Sequence, residues 1–177
     1  MRIISGSHKG RRFFPPKNLP VRPTTDFAKE GLFNILRNLR DLENISVLDL
    51  CAGTGNMTFE FASRGAGSII AVDQHPACVK YIRQLSEELS FKQIRAVKAE
   101  LFKFLKNLQG SYDLIFTDPP YGLENIMELP DLILKTDSLA ENGLLIVEHG
   151  KEVKFTEHPH FFSTRKFGNV NFTFFEP

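Results

Sequence analysis

The sequence predicts an α/β protein: a mostly parallel β-sheet covered by helices on both faces, with an antiparallel hairpin at one edge. Three observations carry this. From residue 45 onward, apolar runs of strand length alternate with amphipathic stretches of helix length. Runs such as "ISVLDLC", "GSIIAVD" and "GLLIVEHG" are apolar almost throughout, as strands buried on both faces are. The tail "HFFSTRKFGNVNFTFFE" instead sets two Phe-rich runs around the turn "FGN".

The elements follow in order. "RIISG" and "RRFFP" flank a turn-like "SHKG" and predict a short N-terminal hairpin. Pro15, Pro16, Pro20 and Pro23 then keep the chain extended. Thr25 or Asp26 caps a helix over "TTDFAKEGLFNILRNL", with Phe27, Leu32, Phe33, Ile35, Leu36 and Leu39 as its apolar face. "ISVLDLC" is the first sheet strand, and "NMTFEFASR" is a helix after a glycine loop. "GSIIAVD" is a second strand, and "PACVKYIRQLSEEL" a helix with Pro76 near its first position. "IRAVKAE" is a third strand, "LFKFLKNL" a short helix and "YDLIFTD" a fourth strand. Pro130 breaks "ENIMELPDLILKT" into two short helices or one bent one. "GLLIVEHG" is the fifth strand, and the tail hairpin closes the sheet. We divide the chain into a basic arm, 1–25, and a main domain, 26–177.

Bulk properties narrow the class. A chain of 177 residues suits one domain that buries a real core. With 42% hydrophobic and 24% charged residues it reads as an ordinary globular protein. A net charge of +1 restricts any nucleic-acid surface to a local patch. The expectation is a reduced, cytoplasmic monomer: Cys51 and Cys78 make no disulfide framework, and no signal peptide or membrane span is seen.

The loop "LDLCAGTGNM" joins the first strand to a helix. Gly53 and Gly55 remove side chains where a ligand approaches the backbone. The third glycine of a dinucleotide fingerprint is missing, since Thr58 stands there. Asp73, about 20 residues on at the end of the second strand, suits ribose hydroxyls. Asp49 adds a carboxylate beneath the loop, which repels a pyrophosphate and favours a cationic ligand. S-adenosylmethionine has the matching parts: ribose, adenine, a sulfonium and an ammonium. Around it we place Asp49, Ala52, Gly53, Thr54, Gly55, Asp73 and Gln74, with Glu100 and Leu101 beside the adenine. Thr24, Thr25 and Phe27 of "RPTTDF" close over the ligand.

"FTDPPYG" follows the fourth strand. The first and fourth strands flank the switch point of such a sheet, so this segment and the glycine loop face one crevice. The Asp118 carboxylate and the Pro119 carbonyl are two fixed acceptors for the two hydrogens of an exocyclic amine. Pro119 and Pro120 keep them rigid, and Tyr121 offers a face on which a base stacks. Two cysteine and histidine features carry no chemistry. Cys51 packs under the loop as a buried thiol, and His158 with His160 makes no metal site.

The "AGTG" loop with "DPPYG" resembles class I S-adenosylmethionine-dependent methyltransferases acting on exocyclic amines. The N-terminal "RIISGSHKGRR…VRPTTDFAKEGLFNIL", "DLCAGTGNMTFEFASRGA" and the closing "RKFGNVNFTFF" narrow the resemblance to the RsmD-type bacterial enzymes, over nearly the whole chain. That resemblance implies a Rossmann-like sheet of seven strands ending in a hairpin, and S-adenosylmethionine as cofactor. It implies an amine-holding role for Asp118 and Pro119, base stacking by Tyr121, and methylation of a guanine N2 in small-subunit (16S) ribosomal RNA. The chain departs from the family at Glu100, where Asp or Asn is commoner, and at Cys51, where Phe is. A paired guanine cannot present its amine to a crevice, so the base must be unpaired or flipped. Arg11, Arg12, Lys17 and Arg22 of the acid-free arm, with Arg165 and Lys166 of the tail hairpin, are the expected contacts to RNA, free or in an assembly particle. Rival readings are adenine-N6 methylation of DNA or RNA, a non-catalytic RNA-binding module that keeps a nucleoside pocket, and an NAD-linked oxidoreductase. Glutamine methylation is disfavoured because Asp118 stands where those enzymes resemble Asn-Pro-Pro-Tyr.

Overall fold

The computed structural model describes residues 1–16, 19 and 24–177. Thr25 caps α1 (Asp26–Leu39), its hydroxyl oxygen accepting from the Ala28 N–H at 3.2 Å. The helix buries Ala28, Lys29, Leu32, Phe33 and Leu36. Phe27 and Leu39, counted above as core-facing, stand 68% and 43% exposed, and the lysine at position 29 is fully buried instead. Counting apolar residues placed the stripe slightly off the face that meets the sheet.

The chain then alternates as expected: β1 (Ser46–Leu50), α2 (Asn56–Ser63), β2 (Ser68–Asp73), α3 (Pro76–Glu88), β3 (Ile94–Lys98), α4 (Leu101–Lys106) and β4 (Tyr112–Thr117). A 3-10 turn at Ile126–Glu128 leads into α5 (Leu129–Leu134), so Pro130 sits in a first turn, where its missing N–H costs nothing. β5 (Leu139–His149) is longer than the apolar run alone indicated. β6 (Phe161–Phe167) and β7 (Val170–Phe175) form the tail hairpin. The seven strands lie in the order β3-β2-β1-β4-β5-β7-β6. The five inner pairings from β3 to β7 are parallel except the last, and β6 and β7 are antiparallel to each other. The chain leaves β1 toward β3, then returns to β4, which puts the switch point between β1 and β4.

Alternation along the strands divides the core. Leu114, Phe116, Leu144 and Ile146 face α1, α2 and α3, whereas Ile115, Leu145 and Val147 face α4 and α5. The N-terminal segment bridges antiparallel at Arg2 and Arg12, and its Ile3 and Phe13 join the first of these clusters. The tail hairpin docks on α1 where Gly31 lies: a Cβ there would stand 2.0 Å from the Phe167 ring. The His149–Asn171 and Lys166–Asn171 pairings bring the turn after β6 to the end of the sheet where the parallel strands finish. Among the described residues no helix is long and apolar enough to cross a membrane.

Candidate active site

A cavity of about 510 Å³ opens at the carboxyl ends of the strands, over the switch point. Its walls come from the loops after β1, β2, β3 and β4 and from Thr24. Of the residues singled out in the sequence, Asp49, Ala52, Gly53, Thr54, Asp73, Gln74, Glu100, Leu101, Asp118, Pro119, Pro120 and Tyr121 all line it.

Asp73 holds the glycine loop in shape. Its two oxygens accept the Gly53 and His75 N–H groups, each at 2.8 Å. Gly55 has a different role from the one expected. It does not line the cavity: its φ of +77° needs glycine, and a Cβ would lie 2.8 Å from the Phe59 ring. Asp49, next to the end of β1, is 1% exposed and accepts a hydrogen bond from the Thr58 hydroxyl. Burial pushes its carboxyl up to about 7, with the Asp73 charge adding and the Thr58 bond opposing. Neighbouring Cys51 takes a positive φ of 62° at the cavity wall, and burial pushes its thiol up to about 12, so it is no thiolate nucleophile.

Glu100 lies beyond the end of β3, as the cap of α4. Its oxygens accept the Phe102 and Lys103 N–H groups at 2.9 and 3.0 Å, and these bonds lower its proton affinity. It therefore shapes this side of the crevice as a cap as well as a wall. Thr25, expected at the ligand, is turned into α1 as its cap. Of the three residues expected there, Thr24 lines the cavity, and Thr25 and Phe27 do not.

The Asp118 N–H reaches the Leu50 carbonyl at 3.4 Å, tying the end of β4 to β1. The Asp118 carboxyl is raised well above the usual range, first by burial and then by the charges of Glu148 and Asp49. Tyr121 is 69% exposed, with its ring edge 3.5 Å from where a Cβ on Gly150 would stand. Two residues here escaped the sequence reading. Asn56 lines the cavity, donating to the Thr24 carbonyl and accepting from Lys29 at 2.9 Å each. Glu148 on β5 is 3% exposed and accepts the Thr24 hydroxyl at 2.8 Å. Its signal was an acid inside an otherwise apolar strand.

The expected RNA contacts are scattered. Arg165 and Lys166 are exposed near the cavity end of the sheet, on β6. Arg11 is carried to the opposite end, within 3.6 Å of Glu88 at the far end of α3. Arg12 is exposed and pairs with Arg2 across the N-terminal bridge. Lys17 and Arg22 lie outside the described residues. Among the described residues no group of three or more metal-ligating side chains converges.

The sheet order and the crevice at its switch point define a Rossmann-like methyltransferase. The chain belongs to the family described as "Conserved hypothetical protein 95", matched over residues 1–176, whose relatives are RsmD-type methyltransferases. The Escherichia coli (strain K12) protein named "Ribosomal RNA small subunit methyltransferase D" is 29% identical over 84% of this chain and 74% of its own length. The Bacillus subtilis protein YlbH is 32% identical over 89% of this chain and 86% of its own. The solved structure of yhhF from Escherichia coli matches with a TM-score of 0.87 at 24% identity, covering 100% of this chain and 98% of that one.

Proposed function

We propose that this protein transfers a methyl group from S-adenosylmethionine to the exocyclic N2 amine of a guanine in small-subunit ribosomal RNA. The observation that carries it is the pairing of two structures at one crevice. One is the acid-lined nucleoside loop of Asp49, Gly53 and Asp73. The other is the rigid Asp118–Pro119 acceptor pair beside Tyr121. The residues fit the cofactor: Asp73 fits its ribose, Leu101 and Glu100 flank the adenine, and Asp49 suits its positive end. When bound, S-adenosylmethionine supplies an electrophilic methyl group on a sulfonium.

The protein's work is on the amine. The Asp118 carboxylate and the Pro119 carbonyl each accept one N2 hydrogen. That aims the nitrogen lone pair away from both and toward the crevice, and it weakens conjugation of that lone pair with the ring. Tyr121 supports the face of the base. As N2 gains a methyl group it becomes acidic and loses one hydrogen as a proton to Asp118 or to water, so no strong base is required. Alignment of this kind lowers the barrier without covalent help from the protein. The names of the relatives support ribosomal RNA as substrate, free or within a small-subunit assembly particle. Arg165 and Lys166 are placed to meet its phosphates. We assign the basic segment 1–25 as an extension of the 26–177 domain, with Arg11 turned to Glu88 away from the crevice, in a monomeric enzyme.

The test offers labelled S-adenosylmethionine with unmodified small-subunit RNA, its assembled particle, DNA and bulk protein, followed by digestion to nucleosides. Label in N2-methylguanosine is the expected result. Label in N6-methyladenine, or binding of the cofactor with no transfer to any acceptor, overturns it.

A further inference from the structure

Asp-Pro-Pro-Tyr holds any planar exocyclic amine, so it does not choose between guanine and adenine. Glu148 lies just behind the cavity wall, against two lining residues, Thr24 and Asp118. β4 and β5 run parallel with Thr117 opposite Val147, so the next step sets Asp118 beside Glu148. Both follow the alternation of Phe116 and Ile146, on the same face of the sheet as Asp49. Glu148 is bounded on one side by Thr24, whose hydroxyl donates to its Oε2, and Thr24 and Asp118 both line the cavity. Two residues beyond Glu148, Gly150 lies against the edge of the Tyr121 ring, so the end of β5 runs close to the stacking residue. Among the described residues no lysine, arginine or histidine pairs with Glu148. A carboxylate buried to 3% without a cation is costly, and donors brought by a ligand would offset that cost. Burial lifts its carboxyl to about 7, against the pull of the Thr24 bond.

The edge of guanine supplies such donors. Next to its N2 amine stands N1–H, also a donor. Adenine has a bare lone pair at N1, beside its N6 amine. A carboxylate accepts from the first and repels the second.

We infer that Glu148 is the guanine-selecting residue of this enzyme, accepting the N1–H while Asp118 and the Pro119 carbonyl hold N2. The inference rests on the guanine-N2 reading above. A site built around a donor rejects an analogue lacking it strongly, because the buried acceptor is left unpaired.

The experiment uses the full chain and RNA fragments carrying either guanine or 2-aminopurine at the position that the wild-type enzyme labels. 2-Aminopurine keeps the N2 amine and replaces N1–H by a lone pair; it also lacks the O6 carbonyl, so the change of ratio in the variant is what reads the N1–H contact. Wild-type protein is expected to favour guanine by about 100-fold or more in kcat/KM. The Glu148→Gln variant, whose amide donates as well as accepts, is expected to shrink that ratio at least tenfold, mostly by gaining on 2-aminopurine. A residue that merely supports Thr24 would slow both substrates alike. Wild-type rates within threefold on the two bases overturn the inference, and so does an unchanged ratio in a folded Glu148→Gln variant. If that variant does not fold, the same ratio is read in Glu148→Asp, which withdraws the acceptor, and an unchanged ratio there overturns the inference. No label in any RNA overturns the guanine-N2 reading itself, a separable result.

Discussion

Lys29, Glu60 and Arg64 bury charge beneath the N-terminal hairpin, and Asp49, Asp118 and Glu148 bury it beneath the crevice, yet the two groups are settled in opposite ways. In the first, every charge has a partner. Glu60 accepts the Ile4 and Ser5 N–H groups at 2.8 and 3.1 Å and the Arg64 Nε at 2.7 Å, with the Lys29 Nζ 3.4 Å away. Lys29 also donates to the Asn56 side chain and the Arg2 carbonyl. In the second, three acids lie at the ends of adjacent strands, Asp49 and Asp118 in the cavity wall and Glu148 behind it, with hydroxyl donors from Thr58 and Thr24 and no ion pair among the described residues. Burial lowers the proton affinity of Lys29 against the pull of Glu60, whereas it raises that of the three acids. The compensated cluster joins elements far apart in sequence. The uncompensated one waits for donors from outside. The two are linked, because Asn56 bonds both Lys29 and the Thr24 backbone.

The sharpest way to break this comparison is at the acceptor itself. Asp118→Ala is expected to cut methyl transfer about 10³-fold with cofactor affinity kept, by single-turnover labelling and calorimetry. A variant within tenfold of wild type would remove Asp118 from the chemistry. The compensated cluster should respond in stability instead. Glu60→Gln leaves the Lys29 charge buried with a poorer partner, so urea unfolding should show a loss of about 3–5 kcal/mol. A loss below about 1 kcal/mol would mean the cluster is not needed to hold the hairpin down.

The third prediction uses pH. The Asp49 carboxyl is raised in the fold, so folding favours its protonated form. Its contribution is fully present below the unfolded value near 4 and is lost as pH rises through about 7. The ligand-free protein should thus lose on the order of 4 kcal/mol from this group between pH 4 and pH 8. Asp49→Asn should flatten that slope in pH-dependent melts, and a wild-type protein that gains stability from pH 5 to 8 would contradict it. The smallest effect belongs to Tyr121. Tyr121→Ala should weaken RNA binding by ~1–3 kcal/mol and leave the melting temperature within a degree or two, because the ring is mostly exposed.

Much of this was legible along the chain. The alternation of buried strands with helices, the terminal hairpin and the cap at Thr25 were all readable. So were the break at Pro130 and the convergence of the glycine loop with Asp118, because each rests on neighbours or on the general rule of the switch point. The misreadings have physical causes. Gly55 was assigned to a ligand, but it answers to the Phe59 ring one helical turn on. Lys29 drew no reading from the sequence, since its partner Glu60 comes from another helix. Glu148 drew none either, because Thr24 and Asp118 reach it from other parts of the chain.

Local chemistry is written residue by residue, so element types, the rigid acceptor turn and the kind of ligand followed from the amino acids alone. Which acids lie together did not. Electrostatics and burial act through space, between β1, β4, β5 and the residue before the first helix's cap. Only folding brings Asp49, Asp118, Glu148 and Thr24 to one place, and only there do three ordinary carboxyls become a row that needs donors.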